Sequence, residues 1–312
     1  MRSYRDSLQY KIATGRGTLP VAILLSLALW GGTAYDWKNV GALVSCTFIA
    51  YLLIEFNTQF SLIRTRTTLP TSLYLLFYSS LPFLHACGTA AAISPLFLLL
   101  LFFLFKSYES PRAPVAVFHT FLCLGCIALL DAYFLYLAPL IYGCMFYLRT
   151  FSIRTFFAGL LGSGLPFWLL IGYGAYQQDF SFLIEIVRSL ADLRPIDYTH
   201  LAFNQFFSWA VITLVGLVTG LHTLRVSYKE KVQTRVMLHL LIVMEAGVNL
   251  LLLLQPHHFN HLMSVLMVIT SLPAGYMFSL TFTRYTRLLT VAVLVTWILL
   301  CLLNLWMHFY HF

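Results

Sequence analysis

Long apolar runs alternate with short polar clusters along the whole chain. Each run approaches the ~20 residues that an α-helix needs to cross the hydrocarbon core of a bilayer. The pattern therefore predicts about eleven membrane-crossing helices rather than strands or a soluble core. In chain order the predicted spans are 19–35, 40–56, 71–87, 91–105, 114–130, 133–148, 155–176, 203–224, 236–254, 262–281 and 288–307.

The boundary between the fifth and sixth predicted spans is placed at Asp131. A single helix cannot comfortably hold all of 114–148, and a carboxylate in the middle of a bilayer is costly. A tight hairpin with Asp131 at its tip removes both difficulties.

Composition supports this assignment. Of the 312 residues 60% are hydrophobic and 10% are charged, whereas soluble domains carry about 25% charged residues. The excess apolar surface must face lipid, and so few charges exclude disorder. The net charge of +8 does not predict a nucleic-acid partner, because the basic residues lie in clusters between apolar runs. No P-loop or dinucleotide-binding glycine motif is present, so no cofactor is predicted.

The basic clusters predict the orientation of the chain. With the N-terminus in the cytoplasm, only Lys38, Arg188 and Arg194 of the 19 Lys and Arg residues lie on the outer side, as the positive-inside rule requires. The predicted fold class is thus an all-α polytopic transmembrane helical bundle in the bacterial inner membrane. It forms a single domain over 1–312, with residues 1–18 cytoplasmic and the C-terminus periplasmic.

The outer side collects most of the acidic residues and histidines, and its longest loop is 177–200. The sequence FSFLIEIVRSLADL in that loop places five apolar residues largely on one helical face: Phe182, Ile184, Ile186, Val187 and Leu190. This pattern is typical of an amphipathic helix that lies in the membrane interface.

Glu245 is the one carboxylate near the middle of a predicted span, and Asn249 follows one helical turn later. An ionisable residue inside a membrane indicates a functional site by default. The equally weighted alternative is a protonated Glu245 that is hydrogen-bonded to a neighbouring helix and only stabilises the bundle.

The segment QPHHFNH at 255–261 places His257, His258 and His261 in a short outer loop. Protonated histidines beside Arg188 or Arg194 could contact an anion such as a phosphate. Imidazole also binds zinc or copper, and His257 and His261 would share one face of a helix. No cysteine or familiar carboxylate–histidine motif accompanies them, so no metal site is predicted, and wet interfacial residues are the simpler interpretation.

Asp36 and Asp131 are the candidates for catalysis, because each lies at the outer end of a predicted span. A base-assisted or metal-assisted transferase requires carboxylates at such positions. Polar residues that cap membrane hairpins look the same, and that interpretation is favoured.

Four stretches resemble an uncharacterised domain-of-unknown-function family of polytopic inner-membrane proteins of Bacteroidota. They are SLIRTRTTLPTSLYLLFYSSLP (61–82), SPLFLLLLFFLF (94–105), IALLDAYFLYLAPLIYGCMFYLRTFSIRTFFAGLLGSGLPFWLL (127–170) and HHFNHLMSVLMVITSLPAGYMF (257–278). This resemblance implies a location and no activity. The chain is more loosely similar to multi-span glycosyltransferases that use polyprenyl-phosphate sugars and carry an acidic residue after the first span. That similarity implies a catalytic role for Asp36, although those enzymes have a long first outer loop and this chain has a short one, 35–39.

Three functions stay open on the sequence. The chain could handle a lipid-linked or amphiphilic substrate at the outer leaflet, in which case Asp36, Asp131 and the 257–261 histidines should converge. It could be a non-catalytic subunit with other membrane protein subunits as partners. It could also be a small-molecule transporter with a midplane cavity that contains Glu245. The lipid bilayer is a partner in all three cases.

Overall fold

The computed structural model describes residues 8–33, 40–65, 67–85, 88–110, 112–191 and 196–310. These parts of the chain are helical and contain no strand. The α-helices are α1 Leu8–Thr14, α2 Thr18–Thr33, α3 Val40–Phe60, α4 Leu69–Ser79, α5 Pro82–His85, α6 Gly88–Lys106, α7 Ala113–Leu130, α8 Ala138–Tyr147, α9 Ile153–Gln177, α10 Ser181–Ala191, α11 Phe203–Val226, α12 Val232–Leu254, α13 Phe259–Leu280 and α14 Arg284–Tyr310.

Among the described residues, eight helices are long and apolar enough to cross a membrane: α3, α6, α7, α9 and α11 to α14. Helix α2 and the segment Ala132–Tyr147 are shorter apolar helices. The all-helical, multi-pass class is therefore confirmed. Within the described residues the predicted spans overlap helical segments, but the count of eleven and the orientation of the termini stay predictions.

Helix α13 lies at the centre of the bundle. Its residues 262–279 are buried without a break, and α4, α6, α11 and α12 pack around it. One close crossing explains how a helix can be enclosed so completely: a Cβ added at Gly275 would come 2.4 Å from Cγ of Pro70 on α4. Glycine at this position lets the two backbones approach, as small residues do in membrane helix pairs.

The chain reverses at Asp131. Helix α7 ends at Leu130, and a 3₁₀ helix, Ala132–Leu137, leads into α8. Tyr142 on α8 then packs back against Phe121 on α7, with ring centroids 4.4 Å apart. This reversal places the Asp131 carboxylate at one end of the bundle rather than within a continuous helix.

Candidate functional site

Asp131 is fixed by the turn in which it lies. Its extended backbone ends α7, and one side-chain oxygen, Oδ1, accepts a hydrogen bond from the backbone N–H of Tyr133 at 3.2 Å. An Asp side chain at the start of a helical turn commonly accepts such a bond. Because Oδ1 is occupied in this way, the second oxygen, Oδ2, is directed away from the turn.

Two histidines from the far side of the sequence meet that second oxygen. The Nδ1 atoms of His258 and His261 lie 2.8 Å and 2.7 Å from Oδ2 of Asp131. The Asp131 side chain is only 2% exposed, whereas those of His258 and His261 are 24% and 21% exposed. The arrangement is a buried carboxylate with two imidazoles on its solvent side; we call these three residues the Asp131 cluster.

The local fold at the start of α13 explains why His258 and His261 are the two histidines that contact Asp131. Pro256 opens a 3₁₀ turn, Pro256–His258, and α13 begins at Phe259. Proline suits a first helical turn because its missing N–H would have no partner there. His258 and His261 are three residues apart at the start of α13, so their side chains share one face. The positive end of the α13 dipole further favours a carboxylate at this position.

Asp131 lies between the membrane-spanning segments and is ionised at neutral pH. Burial by itself raises the pKa of the Asp131 carboxyl, but hydrogen bonds from His258 and His261 and their positive charges outweigh burial. The net effect holds the pKa well below its ordinary value. The cluster is therefore a site of concentrated charge at the end of an otherwise apolar bundle.

Two neighbours orient the imidazoles. The hydroxyl of Thr89, at the start of α6, lies 2.8 Å from Nε2 of His261. The ring of Tyr133 packs against that of His258 with centroids 3.9 Å apart. The residues that the structure describes make no hydrogen bond to Nε2 of His258, which leaves this atom available to a ligand.

The other candidates that the structure describes are not part of the cluster. His257 lies against His200, with ring centroids 5.2 Å apart. His200 in turn pairs with Asp197 at 3.4 Å on an exposed surface. Arg188 is exposed on α10. Asp36 and Arg194 lie outside the described residues. The pair of histidines that converges is thus 258 and 261, not the 257 and 261 pair suggested by spacing alone.

Glu245 and Asn249 are tied to neighbouring helices. Thr270 on α13 donates a hydrogen bond to Oε1 of Glu245 at 2.9 Å. Oδ1 of Asn249 accepts from Trp209 Nε1 at 3.1 Å and from Thr213 Oγ1 at 2.7 Å, both on α11. These bonds are the kind that stabilise helix packing in a membrane.

The two residues also line a groove. It has a volume of about 380 Å³ and lies between α11 and α12, with otherwise mostly apolar walls. Glu245 is 5% exposed. The carboxylate is therefore buried under the floor of a surface groove rather than placed in a central cavity.

A third polar group was missed from the sequence. Oε1 of Glu230, whose side chain is 3% exposed, lies 2.9 Å from Nη2 of Arg64 and accepts a hydrogen bond from Tyr276 at 3.1 Å. Glu230 stands in the charged run YKEK, which resembles an ordinary solvated loop. Nothing in that run indicates that its carboxylate is buried against α13.

The Asp131 cluster contains donors that suit a metal ion. One oxygen of Asp131 and one nitrogen each of His258 and His261 lie within 4.8 Å of one another. Carboxylate oxygen and imidazole nitrogen are standard zinc ligands. The described residues therefore include a potential metal site that the sequence analysis did not predict.

Comparison with known proteins adds no family assignment, because no family model, curated protein or solved structure matches this chain. The helices and the cluster nevertheless define a class. This is a multi-pass α-helical membrane protein with an Asp–His–His cluster at one end of its bundle.

Proposed function

We propose that this protein binds a lipid-linked or amphiphilic substrate in the inner membrane and holds the polar head group at the Asp131 cluster. The observation that carries the proposal is the convergence of two imidazoles on one buried carboxylate oxygen. A buried charge is expensive unless it is paired. A purely structural cap would need only the Tyr133 hydrogen bond, so two additional polar groups at this end of the bundle favour a binding role.

The surroundings of the cluster favour an amphiphile over a soluble substrate. The hydroxyl of Tyr136, in the turn that follows Asp131, donates to the backbone carbonyl of Leu190 on α10 at 2.8 Å. Helix α10 exposes Phe182, Ile184 and Val187. Such an apolar face suits a helix lying in the lipid interface. The cluster would then lie at the depth of lipid head groups.

His258 is the residue best placed to meet that head group. Its Nδ1 is directed to Asp131, and its Nε2 is open to a ligand. A carboxylate that fixes one imidazole nitrogen determines what the other nitrogen offers. We therefore assign Asp131 a positioning role and His258 the contact with substrate.

The test is to measure which lipids stay with the protein in a mild detergent. Wild type, Asp131→Asn and His258→Gln are purified, and the bound lipids are quantified by mass spectrometry. The control is Asp197→Asn, which alters an exposed Asp–His pair that is not part of the cluster. We expect wild type and the control to retain a phosphate-bearing amphiphile, and both cluster variants to lose most of it while remaining monodisperse.

Equal lipid retention in all four proteins would contradict the proposal. A stoichiometric protein partner without bound amphiphile would instead favour the alternative of a subunit in a membrane complex.

A small-molecule transporter is the second candidate, and the groove between α11 and α12 favours it. Its lining combines Glu245 and Asn249 with apolar walls, and intramembrane carboxylates often mark ion or substrate pathways. Uptake into vesicles that contain Glu245→Gln tests it. Undiminished uptake by this variant would argue against a proton-coupled transporter.

A further inference from the structure

We propose that the Asp131 cluster is a binding site for a divalent transition metal, and that zinc(II) is the ion its ligands suit best. The inference deepens the proposed function, on which it rests for the identity of the ligand at the open coordination position. The metal would bind Oδ2 of Asp131 and the Nδ1 atoms of His258 and His261.

The ligand set is the first argument. Two imidazole nitrogens and one carboxylate oxygen converge within 4.8 Å. Zinc sites that act on substrates use three protein ligands and keep a fourth position for water or substrate. Imidazole favours zinc, copper, iron and nickel over magnesium or calcium, which prefer oxygen. The cluster therefore suits a transition metal.

The distances show what binding would require. Nδ1 of His258 and of His261 lie 2.8 Å and 2.7 Å from Oδ2 of Asp131, which are hydrogen-bond separations. Tetrahedral ligands on zinc are about 3.3 Å apart, because each bond is about 2.0–2.2 Å long. The imidazoles must therefore move outward by about 0.5 Å. Both histidines border solvent, which leaves room for a shift of this size, whereas Asp131 is buried.

Neighbouring hydrogen bonds would hold the ligands in a metal-binding orientation. Tyr133 occupies the other oxygen of Asp131, so Oδ2 is left for the ion. Thr89 lies at Nε2 of His261, where its hydroxyl can accept the Nε2 proton, so that the lone pair of Nδ1 would coordinate the ion. Metal-binding histidines nearly always have such a partner on the second nitrogen.

Charge balance indicates the ligand at the fourth position. A zinc(II) ion with one carboxylate and two neutral imidazoles keeps a net charge of +1. An anionic oxygen would neutralise this charge. The phosphate of a lipid-linked substrate is such a group. It would approach from the solvent side of the cluster, where His258 is partly exposed.

The rival explanation is that protons alone occupy the cluster. Two Nδ1–H groups that donate to one carboxylate oxygen satisfy the same geometry without any metal. Metal stoichiometry and the identity of the bound atoms separate the two explanations.

The experiment uses the full chain in mild detergent. The protein is stripped with a chelator and titrated with Zn²⁺ against a fluorescent competitor, and bound zinc is counted by elemental analysis. X-ray absorption at the zinc edge then identifies the donor atoms in the wild-type protein. We expect one zinc per chain, with two imidazole nitrogens and oxygen in its shell.

Three variants and one matched control complete the design. Asp131→Asn, His258→Gln and His261→Gln should each weaken zinc binding about 100-fold or more, beyond the 10- to 100-fold typical of outer partners. His257→Gln removes the adjacent imidazole, which faces His200 instead, and should bind zinc like wild type. Because the absorption spectrum is measured on wild type, misfolding of a variant cannot decide the result.

Absence of stoichiometric zinc, or a zinc shell without imidazole, would overturn the proposal, as would equal loss in His257→Gln. Failure of the metal site is distinguishable from failure of the proposed function. Absence of stoichiometric zinc, together with an amphiphile that wild type retains and Asp131→Asn loses, would reject the metal alone. Zinc binding without any amphiphile would reject the proposed substrate and leave the metal site intact.

Discussion

Gly216 on α11 lies directly against the carboxylate of Glu245 on α12. A Cβ at position 216 would come 1.6 Å from Oε1 of Glu245 and 2.7 Å from Cδ. The same oxygen accepts the hydrogen bond from Thr270 on α13. The absence of a side chain at Gly216 is thus what allows Glu245 to reach α13.

Gly216→Ala should displace Glu245 and break its bond to Thr270. Overpacking and the lost hydrogen bond together predict a destabilisation of about 1–3 kcal/mol, measured as thermal or denaturant unfolding in detergent. Gly172→Ala is the matched control, because nothing lies within 4 Å of a Cβ added there. In a Glu245→Ala background the penalty of Gly216→Ala should largely disappear, since the clash is with that carboxylate. A penalty that persists in the double variant would place the clash elsewhere.

Glu245→Gln should be nearly neutral for stability. The amide oxygen can still accept from Thr270, so we expect a loss below about 1 kcal/mol. Glu245→Leu leaves the Thr270 hydroxyl without this acceptor and should cost about 1–3 kcal/mol. Comparison of unfolding midpoints in one detergent tests the difference. If both variants were equally destabilised, the carboxyl group itself rather than its hydrogen bond to Thr270 would be the important property.

The Arg64–Glu230–Tyr276 contact should stabilise the other end of α13. Tyr276→Phe removes one hydrogen bond to a buried carboxylate and should cost about 1–2 kcal/mol. Arg64→Ala should lower the free energy of unfolding by about the same amount. The loss should be no larger, because Arg64 is 63% exposed and solvent screens its charge. Tyr285→Phe, at an 82% exposed position, is the control and should leave the unfolding midpoint unchanged. An unchanged midpoint in Tyr276→Phe would contradict a stabilising role.

Orientation in the membrane can be tested with two cysteine substitutions. Arg188 on α10 precedes α11 and Tyr228 follows it, so Arg188→Cys and Tyr228→Cys lie at opposite ends of α11. Because the positive-inside rule places 225–235 in the cytoplasm, a membrane-impermeant maleimide applied to spheroplasts should label 188 and not 228. Both should react after detergent lysis. Labelling of 228 alone would reverse the predicted topology.

The helical class and the positions of the eight long apolar helices follow from the sequence, because burial in lipid demands long uninterrupted apolar runs. Which helix lies at the centre of the bundle does not follow from the sequence. Nothing in the composition of 262–279 distinguishes the fully buried α13 from the lipid-facing helices, since lipid and protein interiors select similar side chains. The close approach of Gly275 to Pro70 is visible only in three dimensions.

Only part of the candidate site could be predicted from the sequence, because its contacts also form only in three dimensions. Asp131 and the histidines were recognised as polar residues at span ends, but their contact joins positions 127 and 130 residues apart. The choice of His258 and His261 over His257 depends on where the 3₁₀ turn gives way to α13, and such boundaries are hard to place from sequence. Glu230 escaped notice because a buried carboxylate and a solvated one have identical surroundings along the chain.

The enclosed position of α13 also has a consequence for the order of events during synthesis. Helices α4, α6, α11 and α12 all precede α13 along the chain, so its surroundings exist before it leaves the ribosome. Asp131 must wait for the 127 residues that separate it from His258, roughly 6–25 s at ordinary elongation rates. The cluster is therefore among the last features of the protein to form. A nascent chain arrested before α13 would lack the helix against which α4, α6, α11 and α12 pack.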